Sequence, residues 1–249
     1  MKIPKKITPD RIRDAIVQVF FISTYPYELL ISYVHKVIID LEYEYIQIQH
    51  PSIQPTVNNA DGNIITQQIS VNLSPIFIDK EHEVRIQLQP NGSINFNIAK
   101  NYIGWDRYFQ KISLVLDALR NSKITVSYSR VGLRYVSEFN DMDISNKMKF
   151  NFGTSFPEWK IKGSATNLRL EDGDKTVILN IALNHPINNP QNPSTQVVSI
   201  IDVDVIKEHI SITDLSEFLD IINSCHDKQK EIFFSLLTDE FLNELNPEY

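Results

Sequence analysis

From Asn101 to Asn140 the chain reads NYIGWDRYFQKISLVLDALRNSKITVSYSRVGLRYVSEFN, and its apolar period changes half-way along. Tyr102, Trp105, Phe109, Ile112, Leu116 and Leu119 recur at spacings of three and four. That spacing predicts a helix with three rings and three aliphatic side chains on one face. Asn101 would cap its first turn, Arg107, Gln110, Lys111 and Asp117 would face water, and Asn121-Ser122 would end it. From Ile124 the period is two, through Val126 and Tyr128, and after Ser129-Arg130 the apolar phase jumps to Val131, Leu133 and Tyr135. An odd offset moves side chains to the other face of a sheet, so a bulge or a crossing strand is expected near residues 129–132.

The same reading extends along the chain. Residues 15–22 are a nearly continuous apolar run, predicting a central strand buried on both faces. Leu29, Leu30, Tyr33, Val34, Val37, Ile38 and Leu41 predict a helix, and residues 43–49 a strand. Residues 50–62, with Pro51, Pro55 and Asn-Asn-Ala-Asp-Gly, read as a surface loop, and 64–78 as a strand made irregular by Pro75. Val84, Ile86 and Leu88 answer Ile94, Phe96 and Ile98 across Pro90-Asn91-Gly92-Ser93, a hairpin signal. Further on, Met148, Phe150 and Phe152 alternate, 159–170 alternates less cleanly, and 177–183 and 197–206 read as strands. Residues 184–194, rich in Pro and Asn, read as a long loop or lid. Thr213 would cap a C-terminal helical region interrupted at 237–239.

These elements imply an α+β fold: an extended, mostly antiparallel sheet packed by long amphipathic helices. Strands followed by a long helix occur twice, ending near Asn121 and near Leu245. The halves 1–125 and 126–249 therefore read as a duplicated αβ unit within one compact chain.

Charge changes the picture at the ends. The net charge is -7, and residues 207–249 account for all of it, with ten acids against Lys207, Lys228 and Lys230. The first thirteen residues carry five bases and one acid, so the two ends could attract one another or a partner of opposite sign. No broad basic surface of the kind that binds nucleic acid is indicated. A single cysteine, Cys225, excludes a disulfide framework and paired-cysteine zinc sites. No apolar run reaches membrane-spanning length, and a cytoplasmic protein without membrane contact is expected.

Candidate chemistry is sparse. Asp202 and Asp204 share one strand face roughly 6.6 Å apart. They could hold a divalent ion if Asp14 or Glu138 joined them, or they could be ordinary polar alternation. Arg130 and Arg134 flank Gly132 and could hold a carboxylate or phosphate, or simply cover a sheet edge. Cys225 and His226 are helix neighbours pointing about 100° apart and cannot act as a dyad. No phosphate-loop, nucleophile-elbow or histidine-pair motif occurs, and no cofactor is indicated.

Four segments then occur together in order: ITPDRIRDAI at 7–16, Tyr102-x-x-Trp105-x-x-x-Phe109, RVGLRY at 130–135, and Ile201-Asp202-Val203-Asp204. That order resembles a sporadically distributed prokaryotic family of about this length, classified by sequence only and without assigned function. Asp14 stands where the family has Glu, and Val136-Ser137 where it has Ile-Asn. The patchy distribution is that of mobile defence or toxin–antitoxin cargo. The expectation is a non-enzymatic binding or sensing protein acting with a protein partner or as a homo-oligomer. Arg130, Arg134, Trp105 and Tyr102 would form its binding surface. The competing expectation is a metal-dependent hydrolase or nuclease using Asp202 and Asp204.

Overall fold

The structure is a computed structural model. It describes residues 2–57, 65–79, 81, 83–89, 92–149, 163–189 and 192–249, and the side chains of all of these but 27–28, 46–57, 65–75, 186–189 and 192–196. Among the described residues the order of elements is β1 (Ile12–Ile22), α1 (Tyr27–Asp40), β2 (Glu44–Val57), β3 (Ile65–Ile78), β4 (Arg85–Gln89), β5 (Ser93–Ala99), α2 (Trp105–Asn121), β6 (Ser127–Asn140), β7 (Ser164–Asp172), β8 (Lys175–Asn189), β9 (Asn192–Lys207), α3 (Leu215–Leu236) and α4 (Asp239–Glu244). The nine strands form one antiparallel sheet in the order β2-β3-β4-β5-β1-β6-β9-β8-β7. The chain is α+β. β1 and β6 pair at the middle. β5 lies against β1 and β9 against β6, and each of these outer strands leads directly into a helix, α2 or α3.

One sheet face carries the core. Ala15, Val17 and Val19 of β1, Ile94 and Phe96 of β5, Val131 and Leu133 of β6, and Val203 and Val205 of β9 are fully buried there. α2 meets them with Tyr108, Ile112, Val115, Leu116 and Leu119, and α3 with Phe218, Ile222 and Cys225. Each such apolar side chain contributes about 1.5–3 kcal/mol through removal from water. Two tyrosines tether the helices: the Tyr108 hydroxyl donates to the Phe96 carbonyl at 2.8 Å, and the Tyr128 ring stacks on Phe218 at 4.0 Å. The alternate residues of β1, Asp14, Ile16, Gln18 and Phe20, are only half-buried on the other face, so this strand is central without being buried on both sides.

Several local expectations hold. The register between β1 and β6 slips where Phe20 pairs with Arg130 and Phe21 with Tyr128, which makes Ser129 the extra residue of a bulge. β4 and β5 pair as a hairpin. α3 stops at Leu236, and Thr238 caps α4 by accepting the Phe241 N–H at 3.2 Å. The two termini meet: the Lys5 N–H donates to the Glu248 carbonyl at 2.6 Å, the Glu248 N–H to the Lys6 carbonyl at 2.9 Å, and the Lys6 ammonium lies 3.1 Å from the Glu248 carboxylate.

Others are corrected. Residues 50–57 continue β2 instead of opening a loop, while 58–64 lie outside the described residues. β2 is the edge strand, and Pro51 and Pro55, four residues apart, can both turn their donor-less nitrogens to its free side. Pro75 sits one residue beyond the rungs joining β3 to β4, which begin at Ile76. Residues 184–189 and 192–194 are likewise strand, paired as far as Asn189 with Asn192. There the described outer ladders have stopped, at Leu183 on β8 and Val198 on β9, so proline meets no second neighbour. Phe150, Phe152 and Trp159 lie outside the described residues. Asp214, not Thr213, caps α3, accepting from Ser216 and Glu217 at 2.8 and 3.1 Å. α2 begins at Trp105 behind Gly104, without the Asn101 cap, and Lys111 is not water-facing: its ammonium lies 2.6 Å from Asp79 and 2.7 Å from Glu81.

Candidate functional site

Between β5 and α2 the chain makes a tight reversal. Lys100, Asn101 and Gly104 all have positive φ, 65°, 51° and 86°. Only glycine adopts the last of these, at ψ 152°, without strain. This detour swings Tyr102 off the helix that its spacing predicted and onto β6. Its hydroxyl lies 2.7 Å from that of Tyr135, with the two rings edge to face at 5.4 Å. Trp105, first residue of α2, stacks flat on His226 of α3 at 4.0 Å and 4°, and its indole N–H donates to Asn223 Oδ1 at 2.9 Å.

These residues line a cleft of about 670 Å³. Ile7, Asp10 and Arg11 form one wall, Gly104 and Trp105 a second, and His226, Lys230 and Phe233 a third, with Tyr135 and Ser137 of β6 beneath. The paired termini close one side through Lys6 and Glu248. Such a volume suits a small organic ligand.

The electrostatics are those of a partly dry site. Burial, with the nearby Lys230 charge, lowers the His226 pKa to about 3, so the ring is neutral. Its Nδ1 lies 3.4 Å from Asp227 Oδ1 without hydrogen-bond geometry and has no hydrogen-bond partner. Arg11 Nε is also buried without a partner, and the guanidinium carbon lies 5.7 Å from the centre of the Phe139 ring. Burial lowers the Lys230 pKa, and its ammonium donates to the Lys5 carbonyl at 3.3 Å. Burial also raises Asp10, against the opposing hydrogen bonds from the Ile12 and Arg11 backbone. It raises Tyr102 and Tyr135 too, keeping both phenols protonated. Cys225, next to His226, is pushed up to about 11 by burial and is not a thiolate at neutral pH.

The structure separates the sequence-predicted residues. Tyr102 and Trp105 line the cleft, whereas Arg130 and Arg134 project from the opposite sheet face, since Arg134 and Tyr135 are successive residues of one strand. Arg134 does not pair with Asp204 directly across from it. It reaches diagonally and donates from Nε and Nη2 to the two oxygens of Asp202, both at 2.8 Å, and Asn180 donates to the same carboxylate at 3.0 Å. Arg130 donates to Gln18 Oε1 at 3.0 Å and lies 3.3 Å from Glu208 and 4.8 Å from the centre of the Phe20 ring. Asp14 and Glu138 are both held by Arg13, at 2.8 and 3.0 Å. Asp204 is raised to about 6, mainly by burial. Asp202 and Asp204 do not converge with Asp14 or Glu138. Among the described residues the single carboxylate trio close enough to share an ion is Asp79, Glu81 and Glu83, and Lys111 and Arg107 already pair with it.

Sequence reasoning missed Arg11, Tyr135 and Lys230, and set His226 aside with Cys225. A signal existed for the first two. The segments at 7–16 and 130–135 that carry the family resemblance each send a residue into the cleft beside Tyr102 and Trp105. No spacing signal connects α3 to them. No protein-family model matches the chain, and no curated protein matches it.

Proposed function

We propose that the chain is a non-enzymatic binding or sensing protein, cytoplasmic, that acts with a protein partner in a bacterial defence or toxin–antitoxin pair, and that the helix-side cleft is its receptor. One observation carries this reading. Segments distant in sequence, 5–12, 102–106, 135–137, 226–234 and Glu248, meet around one aromatic-walled cleft. The described ionisable groups there are not arranged as nucleophile and base: burial lowers His226 to about 3, which makes it a weak base, and the adjacent thiol stays protonated. A ligand touching both termini, α2 and α3 at once would alter how these parts clasp, which is how a sensor signals to a partner. Membership of the sporadic prokaryotic family and descent from a duplicated αβ unit belong to the same proposal. The strand order supports the duplication, with β1 and β6 as counterparts and the pairs β5–α2 and β9–α3 flanking them.

A metal-dependent hydrolase built on Asp202 and Asp204 draws no support from this geometry, because Arg134 and Asn180 fill the Asp202 carboxylate. The test is recovery of the tagged full chain from its host, with mass spectrometry of the eluate. A stoichiometric protein partner that is lost on Trp105→Ala is expected. A chain recovered alone, with divalent-ion-dependent hydrolysis abolished by Asp204→Asn, would overturn the proposal.

A further inference from the structure

The geometry points to an anion subsite in the cleft, at the N-terminus of α2: the ligand is a small organic anion whose carboxylate or phosphate group meets Arg11 and the first turn of α2, and whose apolar body lies on Tyr102, Tyr135 and Phe233. The inference rests on the cleft being the receptor and specifies what it receives.

Arg11 Nε is buried and donates to nothing. Gly104 gives α2 no side-chain cap, so the N–H groups of its first turn also lack side-chain acceptors. A helix start with free N–H groups favours negative charge. His226, 6% exposed, stacks on the first residue of that helix, and its unpartnered Nδ1, on a neutral ring, can donate or accept. The groups that can only donate, Arg11 Nε and the first-turn N–H groups of α2, lack acceptors, and an anion is the strongest acceptor available.

The lining acids do not reverse this. Glu248 is paired with Lys6. Asp106, the acid of α2's own first turn, and Asp227 are both exposed to solvent. Asp10 already accepts the Ile12 N–H at 2.8 Å. Lys230, half-buried on α3 and bonded only to a carbonyl among the described contacts, adds a second cation to the cleft. The rings give the site a preference for ligands with an aromatic body over a bare inorganic ion.

Isothermal titration of the full chain with phenyl phosphate, benzoate, inorganic phosphate and benzylamine tests this directly. Phenyl phosphate or benzoate binds at one site, more tightly than inorganic phosphate, and benzylamine does not bind. The two aromatic anions separate a phosphate ligand from a carboxylate ligand. Arg11→Gln weakens the aromatic anion at least tenfold, Arg11→Lys weakens it less, and circular dichroism is unchanged in both. If Arg11→Gln fails to fold, Lys230→Gln at the other wall still weakens binding about threefold. Tighter binding of benzylamine, binding of neither aromatic anion, or titrations unmoved by these substitutions would overturn the subsite. Any of those results would leave partner recovery from the host, and with it the receptor reading, standing.

Discussion

The two faces of the central strand β6 solve the same problem in opposite ways. On the open face, Arg134 is forked onto Asp202, Asn180 completes that carboxylate, and Arg130 is held by Gln18 and Glu208. On the helix face, one residue along at Tyr135, the chain encloses a cleft in which Arg11 Nε and His226 Nδ1 are buried with no partner. Both faces carry arginine, aromatic rings and acids, so composition does not separate them. Satisfaction does. Buried polar groups of folded chains are nearly all hydrogen-bonded, and the exceptions call for a reason. Among the described residues the open face leaves Asn95 Oδ1, a neutral acceptor, whereas the cleft leaves two nitrogens, one of them on a cationic guanidinium.

Substitutions should expose this contrast. The largest effect is expected on the open face. Asp202→Ala leaves the Arg134 guanidinium without its carboxylate in a half-buried position. It should cost about 2–3 kcal/mol in urea denaturation, below the range for a fully buried pair because the Arg134 side chain keeps 45% of its surface exposed. Partner recovery should survive wherever the variant is folded. An equal loss of partner would make the open face the binding surface.

Acid comes next, because the two faces respond with opposite sign. The folded-state pKa of His226 is lowered from 6.5 to about 3, so the unfolded chain takes up the proton first. The stability it confers above 6.5 is lost as pH falls towards 3. Asp204 is raised from 3.8 to about 6, so the folded chain takes up the proton first. Its contribution is full below about 3.8 and is lost as pH rises through 6. Between pH 7 and pH 5, His226 should remove about 2 kcal/mol and Asp204 return about 1 kcal/mol. Asp204→Asn should therefore steepen the loss of stability in that window, and His226→Gln should turn it into a gain. Denaturation midpoints at the two pH values decide the matter.

Smaller effects belong to the reversal that shapes the cleft. Gly104→Ala meets nothing within 4 Å, so its cost is that of a positive φ alone, about 1–2 kcal/mol. Tyr135→Phe removes the hydroxyl contact with Tyr102 and should cost about 1 kcal/mol. Neither substitution should disturb the Arg134–Asp202 pair.

Much of the fold was legible because local rules decided it. The phase jump after Tyr128 called for a bulge or a crossing strand, and Ser129 provides the bulge. The paired runs 84–88 and 94–98 are a hairpin, and the helical region at the C-terminus breaks where Leu237-Thr238-Asp239 signals it. What was not legible depended on position in the sheet. The prolines of β2 and of the β8–β9 tip read as loop, yet a strand lacking a second neighbour tolerates them. The helix face was misread at Tyr102 because three positive φ values, not periodicity, decide where α2 begins. The site was half legible for the same reason. Tyr102 and Trp105 stood out as rings at helical spacing, but whether Arg130 and Arg134 join them is a question of strand parity, and parity sends the arginines to the other face. Arg11 and His226 lie more than two hundred residues apart, and only the closed fold brings them to one cleft.

The most direct test is hydroxyl-radical footprinting of the side chains, comparing the chain alone with the chain bound to the partner or ligand recovered from its host. The cleft assignment predicts protection at Trp105, Tyr102 and Phe233, with Ile16 and Phe20 on the open face unchanged. Protection confined to Ile16 and Phe20 would contradict it and place binding on the face where Arg130 and Arg134 are already paired.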